Sequence, residues 1–326
     1  MKPNVAIIGC GLIGGKRARA LIKDTNLTTC FDLNSEKSKL FSEKYQCKEA
    51  KSIFQIVMEK NIDVVIVATR HDSLVNIAIQ LINSGKHVFI EKPGALNSKD
   101  FDKILKAKES FPDTKIHIGY NHRFHKGIRE AIKIYQSGGI GQLMFLRARY
   151  GHGGRLGYEG EWRANKDISG GGELIDQGSH LIDLAIAFMG DINLNYAATP
   201  TYFWNMNVED NAFVSLSNNN GNIAFLHASC TEWKNMFSLE VYCKFGKIEV
   251  TGLGGSYGLE RLTLHKMLPE MGPPQTQNWE FPGEDESWEL EIQEFLQDVE
   301  NDTNLSDNLA SSKKVLDIIS EIYESH

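Results

Sequence analysis

The chain has 326 residues, a formal net charge of −7 and an ordinary globular composition, and that length predicts two domains rather than one core. The acidic balance argues against a nucleic-acid partner, which needs a basic surface, and against a polybasic membrane anchor. No apolar run approaches the roughly 20 residues of a membrane span, and the first strand starts within a few residues, so no signal peptide is expected.

Four apolar residues, Val5 to Ile8, read as a short buried strand. Gly9, Gly11 and Gly14 follow with the spacing G-x-G-x-x-G, around Leu12 and Ile13. The first glycine permits a tight turn, the second lets backbone approach a pyrophosphate, and the third lets the next helix pack closely with its N-terminus toward the phosphates. Lys16 to Lys23 continue as an amphipathic helix with Ala18, Leu21 and Ile22 on one side. A second strand, to Phe31, ends at Asp32. A carboxylate there accepts hydrogen bonds from ribose hydroxyls and repels a 2′-phosphate, so NAD is expected rather than NADP.

Further strands are expected at 63–68, 87–90 and 115–120, and helices at 35–45, 52–59, 73–83 and 98–110, with Ser35 and Ser98 as N-caps. This alternation predicts an α/β, doubly wound parallel sheet, a Rossmann domain over residues 1–121. After a helix near 126–136 the pattern changes. A strand at 143–151, a Gly- and Arg-rich loop, a helix from about Glu173 to Phe188 and a strand-rich stretch from 193 to 266 predict an α+β second domain over 122–326. Its sheet is expected to be large and mostly antiparallel, and in an oligomer its free face to pack on another subunit. Leu268–Gly283, with four prolines, is expected to be a loop, and two helices close the chain, the last of them packing back on the first domain. The five scattered cysteines form no C-x-x-C and are read as reduced thiols of a cytoplasmic protein.

Ligands of such sheets lie at the carboxyl ends of the strands. Ala68, Thr69, Arg70 and His71 follow one strand, and Glu91, Lys92 and Pro93 the next. A lysine there can hydrogen-bond a substrate hydroxyl and take part in proton transfer, and the proline restricts the backbone that aims it. In the second domain, Asp176 and His180 fall at i and i+4, with Asp183 beyond. That spacing is open to three readings: a carboxylate orienting a general base, a solvated helix face, or a metal pair. The loop before it carries Arg155, Tyr158, Trp162, Arg163 and Lys166, and Asn121, His122 and Arg123 close the last parallel strand. Arginine forks suit phosphate or carboxylate, and aromatics stack on sugars or nicotinamide.

Together, Gly9-x-Gly11-x-x-Gly14, Glu91-Lys92-Pro93 and Asp176-x-x-x-His180 resemble the glucose–fructose oxidoreductase / inositol dehydrogenase / MocA (Gfo/Idh/MocA) family over essentially the whole chain. The resemblance implies hydride transfer between nicotinamide and a secondary hydroxyl of a sugar, cyclitol or sugar nucleotide. It implies Lys92 and His180 as acid/base groups, Asp176 orienting substrate or histidine, and a homodimer or homotetramer through the second-domain sheet; no metal is expected. It also implies cofactor contacts from Gly9, Gly11, Leu12, Ile13, Gly14, Asp32, Ala68, Thr69, His71, Glu91, Lys92 and Asn121, with Trp162 and Arg163 reaching in from the second domain. Substrate contacts are expected from Lys92, Arg123, Arg155, Tyr158, Asp176 and His180. The chain departs from the family after Thr69, where Arg70-His71-Asp72-Ser73-Leu74 replaces the frequent Pro-Asn-x-x-His. The expected partner is a small sugar-type molecule, with a phosphorylated or nucleotide-linked sugar or a cyclitol favoured. An NAD-dependent glycosidase with transient oxidation and a non-catalytic dinucleotide sensor remain as alternatives.

Overall fold

In the computed structural model, which describes residues 2–21 and 25–325, the chain divides into two compact units. The first holds the residues up to Tyr120 together with Trp288–Leu316, and the second holds Asn121–Ser287 with the residues from Asp317 on.

The first unit runs β1 (Asn4–Ile8), α1 (Leu12–Leu21), β2 (Asn26–Phe31), α2 (Ser35–Tyr45), β3 (Lys48–Glu49), α3 (Ile53–Met58), β4 (Val64–Val67), α4 (His71–Ile82), β5 (His87–Glu91), α5 (Ser98–Ser110) and β6 (Ile116–Gly119). Its six strands are all parallel, in the order β3-β2-β1-β4-β5-β6. The order reverses between β1 and β4, and that is where a doubly wound sheet opens its ligand crevice. Every residue of β4 is buried, as a parallel strand covered on both faces requires. Ile22 and Lys23, expected at the end of the first helix, lie outside the described residues.

Two expected caps shift by one residue. Asn34 caps α2, its side chain accepting from the Glu36 and Lys37 amides, and Asn97 caps α5 by accepting from Asp100. In each pair the asparagine precedes the serine and takes the extended cap conformation, which leaves the serine as the first helical residue.

The second unit runs α6 (Lys126–Gln136), β7 (Leu143–Gly151), the single turn α7 (Lys166–Ser169), α8 (Ser179–Met189), β8 (Asn193–Ala198), β9 (Asn211–Ser217), β10 (Ile223–Ser229), β11 (Met236–Cys243), β12 (Gly246–Thr251), β13 (Glu260–Lys266) and β14 (Gln275–Phe281). The sheet order is β14-β13-β12-β11-β7-β10-β9-β8. It is antiparallel except for the parallel β7–β10 pair, so the sheet is mixed. The stretch 268–283, expected to be a loop, contains β14. Its prolines fall outside the strand, and β14 lies at the sheet edge, where a strand bracketed by prolines loses no ladder hydrogen bond. The helix expected from Glu173 opens instead as a π turn over Leu174–Gly178 before α8 begins. Helices α9 (Ser287–Asn301) and α10 (Leu309–Glu324) end the chain, and no helix of the described residues is long and apolar enough to cross a membrane.

In the first unit α9 covers a core of Val5, Ile7, Val64, Ile66 and Phe89 with Ile292 and Phe295. An ionic cluster lies within this apolar packing. Arg17 of α1 is fully buried and ion-paired with Glu91 at 2.5 Å and Glu291 at 2.7 Å. Its guanidinium lies over the rings of Phe89 at 4.2 Å and Trp288 at 4.5 Å. Glu291 also meets His117 at 3.1 Å. Burial alone would discharge Arg17, and the two carboxylates outweigh it and hold the charge. Arg17→Met leaves both carboxylates without their cation, and urea unfolding should then show a loss of roughly 3–5 kcal/mol. A loss below about 0.5 kcal/mol, the level of an ordinary surface substitution, would remove the cluster from the structural frame.

Candidate active site

The glycine loop and Asp32 both lie in the first unit. Gly9 adopts φ +103°, and an added Cβ would collide with the Ala68 carbonyl. At Gly14 an added Cβ would collide with the Gly9 carbonyl, while at Gly11 it would meet nothing within 4 Å. The loop is therefore closed on the protein side and open above Gly11, the shape a pyrophosphate needs at a helix N-terminus. Leu12 is exposed and Ile13 half-buried on the same rim. Asp32 is fixed at the tip of β2, where its two oxygens accept from the Cys10 amide at 2.8 Å and the Asn34 amide at 2.9 Å. The residues present thus fit an adenine dinucleotide.

After β4, Thr69 accepts from Ser73 at 2.8 Å, and the exposed Arg70 pairs with Asp72 at 3.0 Å. His71 is buried at the start of α4. Glu91, expected to touch cofactor, is instead buried against Arg17, and burial pushes its carboxyl above the usual range against the pull of that cation. Lys92 follows on the strand end, half-buried, and its bond to the buried Pro93 is cis.

The second unit gathers the other group of chemistry-bearing residues. β7, β10 and β9 meet at one end of the sheet, where Gly151, Ser229 and Asn211 are in register, and the π turn packs against these strands. Two close approaches make glycines necessary just before that turn. A Cβ at Gly171 would strike the Tyr323 ring, and one at Gly172 would strike the Glu209 backbone. Glu209 then holds the turn, its carbonyl accepting from the Glu173 amide at 3.1 Å and its carboxylate from the Leu174 amide at 3.0 Å and the Tyr323 hydroxyl at 2.6 Å. Turns of this wide kind are frequent at functional sites.

On the turn, Asp176 is buried and accepts from Arg163 Nε at 3.0 Å. The carboxylate outweighs the burial that would discharge Arg163, and Arg163 also stacks on Trp162 at 4.5 Å. A guanidinium in that place leaves little room for the metal-pair reading of Asp176 and His180. His180 is buried and stacked on His122, with centroids 3.8 Å apart, and Tyr150 meets His122 edge-on at 4.6 Å. Glu173 is buried and accepts from the Tyr158 hydroxyl at 2.9 Å, with His152 at 3.6 Å. Burial and the Asp176 charge push the Glu173 carboxyl up to about 8, so it holds its proton at neutral pH. Burial lowers His152 and raises Tyr150 and Tyr257.

Several expected ligand contacts are engaged otherwise. Arg123 is clamped on Asp183 by Nε at 2.7 Å and Nη2 at 2.6 Å, which makes it a structural strut. Asn121 is buried and donates to Ser287 at 2.8 Å. Tyr158 is buried with its hydroxyl on Glu173, and the exposed Arg155 pairs with Glu161 at 2.7 Å. Tyr150, His152, Glu173 and Tyr257 join the cluster without having been singled out as ligand contacts. For the first three the available signal was proximity in sequence to the motif residues, whereas Tyr257 lies in a loop after β12 that only the tertiary fold brings near.

Both units match models of one family: residues 3–119 match its "Oxidoreductase family, NAD-binding Rossmann fold" and 128–249 its "GFO/IDH/MocA C-terminal domain". The chain belongs to the Gfo/Idh/MocA oxidoreductase family. It is 25% identical to an inositol 2-dehydrogenase of Salmonella paratyphi B over 155 residues, 46% of each chain, so the match spans about half of that relative. Over 279 residues it is 26% identical to 2,7-anhydro-N-acetylneuraminate hydratase of Escherichia coli, covering 82% of this chain and 73% of the relative. A levoglucosan dehydrogenase solved with NADH and levoglucosan shares the fold, with a TM-score of 0.89 at 20% identity over 100% of this chain and 97% of the other.

The Glu173 proton has a consequence for stability. The folded carboxyl is raised from 4.5 to about 8, so the folded state binds more protons than the unfolded one between those values. The stabilisation is therefore full below about 4.5 and is lost as pH rises toward 8. His152, Asp176, Tyr158, Cys230 and Glu209 surround this carboxyl and share its field. Urea midpoints of the wild type should fall between pH 5 and pH 8, and Glu173→Gln should flatten that fall. Parallel curves for the two proteins would show that Glu173 does not titrate in this window.

Proposed function

We propose that the protein is an NAD-dependent oxidoreductase acting on a secondary hydroxyl of a neutral sugar or cyclitol. The observation that carries this reading is the placement of Lys92 in the first unit. It follows β5 on the same carboxyl edge of the sheet as the open glycine loop, Asp32 and Thr69. NAD, when bound, supplies the hydride-accepting ring. Gly9, Gly11, Gly14 and the N-terminus of α1 hold its pyrophosphate, and Asp32 takes the ribose hydroxyls and disfavours a 2′-phosphate.

The chain's own part is proton transfer and orientation. Lys92 in the first unit and His180 in the second are the two groups suited to take the hydroxyl proton. Asp176 acts through Arg163, whose guanidinium it holds. The favoured substrate is uncharged, because Arg155 and Arg163 already carry Glu161 and Asp176 as partners. This moves the reading away from a phosphorylated or nucleotide-linked sugar, which needs cations without such partners.

A redox-neutral reaction is a second reading, favoured by one observation. The relative matched over 82% of this chain is named a hydratase, and net addition of water leaves no NADH behind. Oligomerisation through the outer sheet face completes the proposal, since Tyr196, Phe213, Ile223 and Phe225 stand exposed there on β8, β9 and β10. A monomeric mass by light scattering at micromolar concentration would overturn that part. The reading places the protein in the cytoplasm, where the NAD pool lies, and fractionation of the source cells checks this.

NADH fluorescence with NAD and a panel of free sugars, cyclitols, glycosides and sugar phosphates tests the main reading. A signal with neutral substrates is expected, and Lys92→Ala should lower turnover about 10²-fold or more. Substrate consumed without NADH accumulating would select the redox-neutral reading, and an unchanged Lys92→Ala rate would remove the lysine from proton transfer. In the same assay NADP should be the poorer cofactor, and Asp32→Ser should narrow the difference. Equal use of both cofactors by the wild type would overturn the assignment of Asp32.

A further inference from the structure

The glycine-rich loop after β7 has a structural partner that the proposed chemistry does not use. Tyr202, Phe203 and Trp204 are three consecutive aromatics on the connection from β8 to β9. All three backbone amides donate to the fully buried Asp210 carboxylate, at 2.9, 2.7 and 3.0 Å. Against burial, a bond from the Asn211 side chain at 3.0 Å and these three amides hold the Asp210 carboxyl below its ordinary range, and the amides fix the loop in one shape. The Trp204 indole is pinned by donating to the Cys230 carbonyl at 3.0 Å.

The rings form a continuous chain. Tyr158, whose hydroxyl is on Glu173, lies 5.5 Å from Trp204. Trp204 is 5.1 Å from Phe203, which is 4.8 Å from Trp233, the last two pairs edge to face. The inner end is buried, but Phe203 is 57% and Trp233 66% exposed. Trp233 also has φ +60°, a left-handed backbone that non-glycine residues rarely take without being held there. The two glycines of the facing loop make room for this arrangement. A Cβ at Gly153 would press on the Trp233 backbone, and one at Gly154 would overlap the Trp204 ring.

We propose that Phe203 and Trp233, held edge to face, form a rigid aromatic shelf against which a second ring of the substrate packs, so that the protein acts on a glycoside rather than a free monosaccharide. This rests on the sugar reading above and extends it to a substrate class. Three observations select a sugar ring as occupant. The shelf is continuous, ring by ring, with the cluster that holds Asp176 and Glu173. Its rim is polar, with Glu232 beside Trp233 holding Arg149 at 3.1 Å and Arg155 holding Glu161 across the loop; a glycoside ring presents an apolar face to a ring and hydroxyls to such a rim. The exposed area is that of two side chains, suited to one ring and far below the 1,200–2,000 Å² or so that a stable protein interface buries. Its rigidity keeps the ordering cost of binding low.

The test uses the full chain with glucose, galactose and mannose, each as the free sugar and as a disaccharide in which it is joined to a second sugar ring. Tryptophan fluorescence titrations, with and without NAD, read binding independently of turnover. At least one disaccharide is expected to bind about tenfold more tightly than its free sugar, and Phe203→Ala and Trp233→Ala are each expected to erase that advantage. Where a sugar is turned over, the glycoside-to-free-sugar ratio of kcat/KM should fall in the same variants. Both residues are exposed, so truncation leaves the core intact. No glycoside preference in the wild type, or a preference that survives both substitutions, overturns the shelf. A wild-type dimer that becomes monomeric in both variants overturns it in favour of a second copy as occupant. If glycosides bind through the shelf while no substrate yields NADH, the shelf stands and the dehydrogenase reading fails.

Discussion

The first unit depends on one buried cation. Arg17 sits one turn beyond Gly14 on α1, and its guanidinium is held by Glu91 at the end of β5 and Glu291 on α9, between the rings of Phe89 and Trp288. An Arg in an apolar core is tolerated only when its charge is matched and its faces are covered, and here both conditions are met. The same contacts tie together the helix that starts in the glycine loop, the strand end that carries Lys92, and the returning segment from Trp288. A shift in any one of the three would leave a charge unmatched, so the spacing between phosphate loop and lysine is set by electrostatics as well as by the strand ladder.

The second unit solves the converse problem, an excess of buried acid. Glu173, Asp176 and Glu209 lie within one short stretch of backbone packing, and only Asp176 has a guanidinium. Glu209 is stabilised by hydrogen bonds from Leu174 and Tyr323. Glu173 is left holding a proton, which lets it sit beside Tyr158, His152 and Asp176 without adding a second negative charge. A carboxyl kept neutral in this way rigidifies the turn through its bond from Tyr158.

Local signals carried much of this into the sequence. The glycine spacing, the all-apolar β4 and the acid at position 32 are read within a few residues of one another, so the parallel sheet and its cradle were legible. The strand 143–151 was legible for the same reason. What was not legible is set by distance along the chain. Arg17 and Glu291 are far apart in sequence, and nothing local marks either as buried. The prolines of 268–283 signalled a loop because a pattern does not show that β14 lies at an edge where prolines at its ends are harmless. The π turn was missed because a helix that widens for one turn keeps the apolar pattern of a regular one.

Arg123, Arg155 and Arg163 show why residue type alone is a poor guide to a ligand's charge. Three arginines near a motif suggest an anionic substrate, and each of them turns out to have a carboxylate of its own in Asp183, Glu161 or Asp176. Charges balanced in pairs give little net field to attract a phosphate, and replacing such a partner with a ligand oxygen would strand a carboxylate, fully buried in the case of Asp183. Paired charges do present many fixed hydrogen-bonding edges, and those recognise hydroxyls, which accept and donate without bringing charge. On the proposed neutral-sugar reading, a surface built from ion pairs and aromatic rings would discriminate polyols by the placement of their hydroxyls and the apolar faces of their rings.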